Sequence, residues 1–246
     1  MRRAALFVIG TILVTLEAQA QPSPAAGAGT AAKADPWLVK AALGYLATSG
    51  NTESTSLNSA FTVAYDAGNW IHAFDATAIN STKNEDTTAE AYGLGWKSEY
   101  NLTKFDFLFV RVGWRKDRFS GYEQQLSETI GYGRRLIDTG THVLDAELGA
   151  GARQAELSDG TMEDEFIERG GVSYLWKFSE TAEFSQSIAV EAGSENTWLE
   201  SISAVKAKLV DDLALVASYT VKNNSNVPAG LENTDRFTAI SLEYSF

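Results

Sequence analysis

The sequence predicts an all-β protein, a transmembrane antiparallel β-barrel of about twelve strands behind an N-terminal signal peptide. Three observations carry the prediction. The chain opens on an export signal and closes on an amphipathic strand ending in an aromatic residue. Between them, apolar and polar residues alternate in one run after another. The connections between the runs also fall into two alternating kinds, one short and one longer and more polar.

At the N-terminus, Arg2 and Arg3 are followed by an uncharged apolar stretch from Ala4 to Leu16 and by Ala18-Gln19-Ala20, a small-x-small cleavage site. This reads as a secretory signal peptide over 1–20. The apolar run falls short of the roughly 20 residues that a membrane-spanning helix needs. With no cysteine in the chain, attachment through a lipidated N-terminal cysteine is excluded and disulfides are absent. Residues 21–36 are rich in Pro, Ala and Gly without periodicity, so a flexible periplasmic lead-in is expected there, and the barrel domain over 37–246. At the far end, Arg236 to Phe246 alternates without a break. Leu242, Tyr244 and Phe246 share its apolar face and form the candidate insertion signal, for which the barrel assembly machinery is the expected partner.

The whole chain carries 20 basic and 32 acidic residues; without Arg2, Arg3 and Glu17 that leaves 18 against 31, a net charge of −13. Nucleic acid, which needs a basic footprint, is therefore not an expected partner. Beyond the signal no apolar stretch is long enough for a membrane helix, which leaves a barrel open because alternating strands give a weak hydropathy signal. Twenty Gly, 6 Trp, 9 Tyr and 12 Phe against only 4 Pro fit a strand-rich body.

Strands are predicted near 37–48, 55–66, 70–81, 89–102, 105–118, 126–137, 142–157, 165–178, 182–194, 198–209, 213–222 and 236–246. Short turns are expected at 66–69, 102–105, 138–140, 179–181 and 211–212. Longer loops are expected at 49–53, 81–88, 120–125, 158–164, 194–197 and 223–235. Periplasmic turns are short in such barrels, which puts both chain ends in the periplasm of a Gram-negative cell and the loops outside, among outer-membrane lipids and lipopolysaccharide. Parity separates the faces. Tyr92, Leu94 and Trp96, Leu108, Val110, Val112 and Trp114, Leu144 to Ala152 on even numbers, and Val172 to Phe178 on even numbers form an apolar face. Aromatics gather near strand ends as two girdles, with Trp37, Trp70, Tyr100 and Trp176 on the periplasmic side and Trp114, Phe119, Trp198 and Phe237 on the outer side.

The opposite face mixes both signs of charge. Arg111, Arg115, Asp117, Arg135, Asp145, Glu147, Arg153 and Arg169 lie on neighbouring strands with inward parity, and are the candidate lumen charges. Such a set selects ions or solutes electrostatically, or closes the lumen as a salt-bridged network. No catalytic, cofactor or metal site is expected. The two histidines, His72 and His142, fall near periplasmic turns, away from the outer leaflet where a barrel lipase would act, and no cysteine accompanies them. The acidic runs at 84–86 and 159–165 lack the spacing of a calcium loop. Gly131-Tyr-Gly133 and Gly149-Ala-Gly151 lack a strand-to-helix context, so close packing within strands is their expected role.

The chain resembles the YdiY-type family of salt-induced outer-membrane proteins. The matching stretches are Gly44 to the Ser49-Gly-Asn-Thr52 loop, Phe119-Ser-Gly-Tyr122, Gly131-Tyr-Gly-Arg-Arg135, Leu144-Asp-Ala-Glu-Leu-Gly149 and Gly193-Ser-Glu-Asn-Thr197. The resemblance implies an outer-membrane location and a link to salt or envelope stress, and assigns no reaction or ligand. Two functions are expected on this reading: a small porin-like channel for ions or small polar solutes, its arginines favouring anions, or a non-conducting barrel closed by ion pairs.

Overall fold

The structure is a computed structural model that describes residues 36–48, 54–83, 86–117 and 121–246. The expected signal peptide, nearly all of the lead-in, the 49–53 loop and Phe119 lie outside the described residues. Twelve strands follow one another: β1 (Trp37–Thr48), β2 (Ser54–Asp66), β3 (Trp70–Lys83), β4 (Asp86–Asn101), β5 (Asp106–Asp117) and β6 (Tyr122–Asp138), then β7 (His142–Leu157), β8 (Met162–Lys177), β9 (Ala182–Gly193), β10 (Thr197–Val210), β11 (Leu213–Asn224) and β12 (Thr234–Ser245). Each pairs antiparallel with its sequence neighbours, and β12 returns to β1, so the sheet closes into a barrel.

Period-two patterning decides which way each side chain points. Leu94, Leu108, Val110, Ile130, Leu148, Phe166, Ile188 and Ile240 stand exposed on the outside, where a water-soluble sheet would have hidden them. Their neighbours in the chain turn inward and are mostly polar or small, as with the buried Ser127, Thr129, Ser187, Ser218, Thr220 and Ser241, with Phe107, Phe109 and Ile167 as large apolar exceptions. An apolar exterior around a polar interior is the inverse of a soluble protein and suits a bilayer. Bulges or irregularities occur at Ser81/Thr82, Arg115/Asp117, Tyr122/Gln124, Arg135/Ile137 and Lys208/Val210. All lie near strand ends, so none inverts the faces through the middle of the wall.

Aromatic rings cluster where the short turns are. Trp37 meets Tyr65 at 4.5 Å between ring centroids, Trp70 meets Tyr100 at 4.9 Å, Trp176 meets Phe178 at 5.5 Å and Tyr244 meets Phe246 at 4.7 Å. Both His72 and His142 belong to this belt, stacked on Trp70 and Trp176.

The connections at the other end differ from expectation. β4, β6 and β8 begin at Asp86, Tyr122 and Met162, three or four residues earlier than the polar composition suggested. Polar strand ends continue the hydrogen-bonded ladder above the apolar band, and polarity alone reads them as loop. Only 225–233, between β11 and β12, remains a long connection among the described residues.

Closure is uneven around the ring. The other neighbouring pairs hold eleven to fifteen register partners, whereas β1 and β12 pair only from Lys40↔Ser245 to Leu43↔Leu242. Phe246 N adds one bond to Val39 O at 2.9 Å.

Two outcomes test this architecture. Leu148, 72% exposed on the outer face, should tolerate Ala but lose about 2–4 kcal/mol of stability in lipid as Leu148→Arg, the cost of a cation in the hydrocarbon. Urea titration in vesicles reads the difference. Cross-linking the seam through Leu43→Cys and Leu242→Cys should raise the unfolding midpoint by an amount equivalent to about 2–4 kcal/mol, reversed by reductant; an unchanged midpoint would show that the seam opens no earlier than the rest.

Candidate functional site: a charged lumen beneath a pinned loop

The interior charges assemble around one carboxylate. Glu191 on β9 is 2% exposed and accepts from Arg169 Nη1 on the adjacent β8 at 2.9 Å. Its other oxygen accepts from Arg115 Nη2 at 2.9 Å, a bond that crosses the lumen from β5, four strands away around the ring. Arg153 Nη1 lies 3.9 Å away. Arg169 and Glu191 are direct register partners, as are Arg153 and Glu165, so antiparallel alternation itself sets opposite charges side by side.

Arg153, 1% exposed, donates through Nε to Glu165 Oε1 at 3.0 Å, and through Nη2 to the same oxygen and to the Asn196 carbonyl. Arg115 also donates to Gln125 Oε1 at 3.1 Å and lies 3.9 Å over the Trp198 ring. Nearer the chain ends, Lys97 bridges Glu99 at 2.7 Å and Glu147 across the lumen. Arg135 lies 3.6 Å from Glu99 and donates to Asn101 Oδ1 at 2.9 Å. Asp145 is buried beside this group, with Oδ1 unpartnered. Arg111 and Asp117 line a cavity of about 70 Å3 in the middle of the lumen.

Two rings share the interior with these charges. Phe107 and Phe109 project inward from β5 and are almost wholly buried. They fit because β6 and β7 carry glycine opposite them: a Cβ on Gly133 would sit 2.2 Å from the Phe107 ring, and one on Gly131 2.6 Å from Phe109. The close-packing role expected of Gly131, Gly133 and Gly149 is thus to seat rings. Lys97 stands 5.4 and 5.3 Å from the two ring centroids, within cation–π range.

The 225–233 connection folds over the mouth. Asn196, in the turn before β10, accepts from Asn226 N at 3.2 Å and Ser225 Oγ at 3.3 Å and donates to Asn224 Oδ1 at 2.8 Å. Across the mouth, Tyr122 Oη donates to Asn226 O at 3.2 Å. Pro228 packs onto Gly121, where a Cβ would meet it at 2.5 Å in a backbone already at φ +85°. Gly121, Tyr122 and Asn196 all fall in stretches that carry the family resemblance.

Trp198 departs from its expected place in the outer girdle. It is 7% exposed and faces inward, because it shares the even-numbered face of β10 with Glu200 and Lys206. That parity could have revealed it, and Glu191 as well, which alternates with the buried Ser187 and Ala189. Phe237's side chain lies outside the described residues. Leu242, Tyr244 and Phe246 stand exposed on the outer face of the closing strand.

His72 Nδ1 lies 2.9 Å from Ser98 Oγ and His142 Nδ1 2.8 Å from Tyr174 Oη. No hydrogen bond joins an Asp or Glu to either ring among the described residues, so no acid orients a base there. Among the described residues no group of three acidic, His or Cys side chains is close enough to hold a metal. Asp159 is engaged locally: it accepts from Thr161 N at 2.9 Å, which holds its carboxyl below the usual range.

Removing the central carboxylate has a stated cost. Glu191→Gln leaves Arg115 and Arg169 without their anion and should destabilise the barrel by about 3–5 kcal/mol, read as a lower urea midpoint. Arg115→Met added to it should recover part of that loss, since one buried cation disappears.

Residues 41–246 match the family described as protein of unknown function, DUF481. Uncharacterized protein YdiY of Escherichia coli (strain K12) is 34% identical over 203 residues, covering 82% of this chain and 80% of its own. Among solved structures, the COG4313 outer membrane channel from Pseudomonas putida F1 superposes with a TM-score of 0.55 at 8% identity, over 92% of this chain and 98% of that one. The NanC porin gives a TM-score of 0.48 at 10% identity, over 84% and 97%. Likeness at such identities speaks to the fold alone, and the fold shared with the COG4313 channel is that of an outer-membrane β-barrel. The chain therefore belongs to the DUF481 family, to which its 34% identity adds a YdiY-type relationship, and it has the architecture of an outer-membrane β-barrel.

Proposed function

We propose that the protein is a narrow outer-membrane channel for ions and small polar solutes, its lumen constricted by charge pairs and its outer mouth covered by the 225–233 connection. The observation that carries this reading is the cavity in the middle of the lumen, lined by Asp75, Arg111, Arg115, Glu191 and Glu200. A barrel with a purely structural interior gains nothing from charges left facing an open space, because burying them is costly. Lumen charges of both signs set barriers and wells for permeating ions, and we assign that role to Arg111, Arg115, Asp117, Arg135, Asp145, Glu147, Arg153 and Arg169.

On this reading both chain ends face the periplasm, and the exterior contacts outer-membrane lipid and lipopolysaccharide. Leu242, Tyr244 and Phe246 form the segment that the assembly machinery engages. A link to salt or envelope stress rests on the family resemblance alone.

A second reading, a closed non-conducting barrel, is favoured by the burial of Phe107 and Arg153, which fill the interior on either side of the cavity. Planar-bilayer recording of the refolded mature protein separates the two. The channel reading expects small unitary steps that grow severalfold when the connection is released by Asn196→Ala or shortened between Ser225 and Asn233. Arg111→Ala/Arg115→Ala should shift the reversal potential under a salt gradient toward cation selectivity. Silence from wild type and from the loop-shortened variant, both folded and inserted, means a closed barrel.

A further inference from the structure

The cavity has a floor made by absent side chains. Gly93 and Gly95 on β4 and Gly113 on β5 line it. Asp75 and Thr77 lean over that floor from β3: a Cβ on Gly95 would stand 2.5 Å from the Asp75 carboxylate, and one on Gly93 2.7 Å from Thr77 Oγ1. Glycine at 93 and 95 therefore leaves room for the Thr77 and Asp75 side chains to lie against β4 at the edge of the hollow.

Several of the charges around the hollow are engaged elsewhere, Lys116 with Glu123 among them. Arg115 and Arg169 are committed to Glu191. The Arg111 guanidinium, by contrast, has no ion pair or hydrogen bond among the described residues, and neither has the carboxylate of Asp75 or of Glu200. Glu200 is only 9% exposed, so its carboxylate is withdrawn from bulk water without a protein partner. One cation and two carboxylates without a partner at bonding distance among the described residues thus face the same small polar space, which Asp117 and Lys222 also line.

No ion of a single charge suits that arrangement. A simple anion drawn to Arg111 meets Asp75 and Glu200, and a simple cation drawn to those carboxylates meets Arg111. A molecule carrying both signs answers all three groups at once. We propose that the mid-lumen cavity is a binding site for a small zwitterion, its carboxylate on Arg111 and its ammonium between Asp75 and Glu200. Charge-assisted bonds at both ends supply the affinity, and a planar guanidinium receives a carboxylate through two parallel bonds. The site goes beyond the channel reading and does not need it, since a closed barrel can hold the same ligand.

The test is calorimetric titration of the refolded mature chain in detergent, with folding verified by heat-modifiable migration. The probes are glycine, β-alanine and γ-aminobutyrate, which vary the spacing of the two charges, with acetate and methylammonium as single-charge controls. At least one zwitterion should bind saturably and at least tenfold more tightly than either control. Arg111→Met should reduce that zwitterion to the affinity of methylammonium, and Asp75→Asn/Glu200→Gln to that of acetate. Acetate binding as tightly as the best zwitterion overturns the proposal in favour of an anion site. Absence of saturation with all three zwitterions overturns it outright, and both comparisons need only wild-type protein. Binding by a barrel silent in bilayers would sink the channel reading alone, and conduction without binding would sink the zwitterion site alone.

Discussion

Backbone hydrogen bonding is the constraint on which the rest of the structure depends. Hydrocarbon offers no partner for an N–H or C=O group, so a sheet that lives in it must close on itself. Closure of an antiparallel chain brings the last strand beside the first and gives an even number of strands here. It also makes every strand a divider, one row of side chains facing lipid and the next facing the enclosed space. The alternation in this sequence is the record of that division.

The same geometry creates the interior problem. Half of each strand's side chains must occupy a narrow tube, and in this chain many of them are charged. Three devices make that tolerable. Opposite charges stand as register partners on adjacent strands, as with Arg153 and Glu165. Long side chains reach across to meet others, as Arg115 does with Glu191. Glycine yields space where a ring must lie flat, as Gly133 does beneath Phe107. Breaking a buried pair leaves an uncompensated charge, so mutual dependence among the charges holds the interior together alongside the packing of Phe107 and Phe109.

This explains what could be read from the sequence and what could not. Period-two patterning is local, so the strands and the face of each residue were legible: Leu94 and Leu148 outward, Arg153 and Asp145 inward. Parity, however, says which side of the wall a residue occupies and nothing about what stands opposite. Glu191 became the centre of the network only once β9 faced β5 across a closed ring. The aromatic character of Trp198 points to a headgroup belt, although its own strand's parity places it inside with Glu200. The polar ends of β4, β6 and β8 read as loop in the sequence because composition cannot distinguish a ladder extending past the bilayer from a loop. Nor could it foresee that the β11–β12 connection folds over the mouth, since its anchors, Asn196 and Tyr122, lie far away in the chain.

The short pairing between β1 and β12 has a consequence for how the wall behaves in time. Beyond Leu43↔Leu242 the two edges have no further register partners, whereas β1 remains paired with β2 and β12 with β11 over the same stretches. Amide protons along 44–48 and 235–241 that point across this gap lack the protection their counterparts enjoy, and they exchange with solvent at the rate of local opening and not of global unfolding. The ring is thus cooperative around most of its circumference and labile along one line. With the fewest register partners of any neighbouring pair, the line between the barrel's two ends costs the least to part.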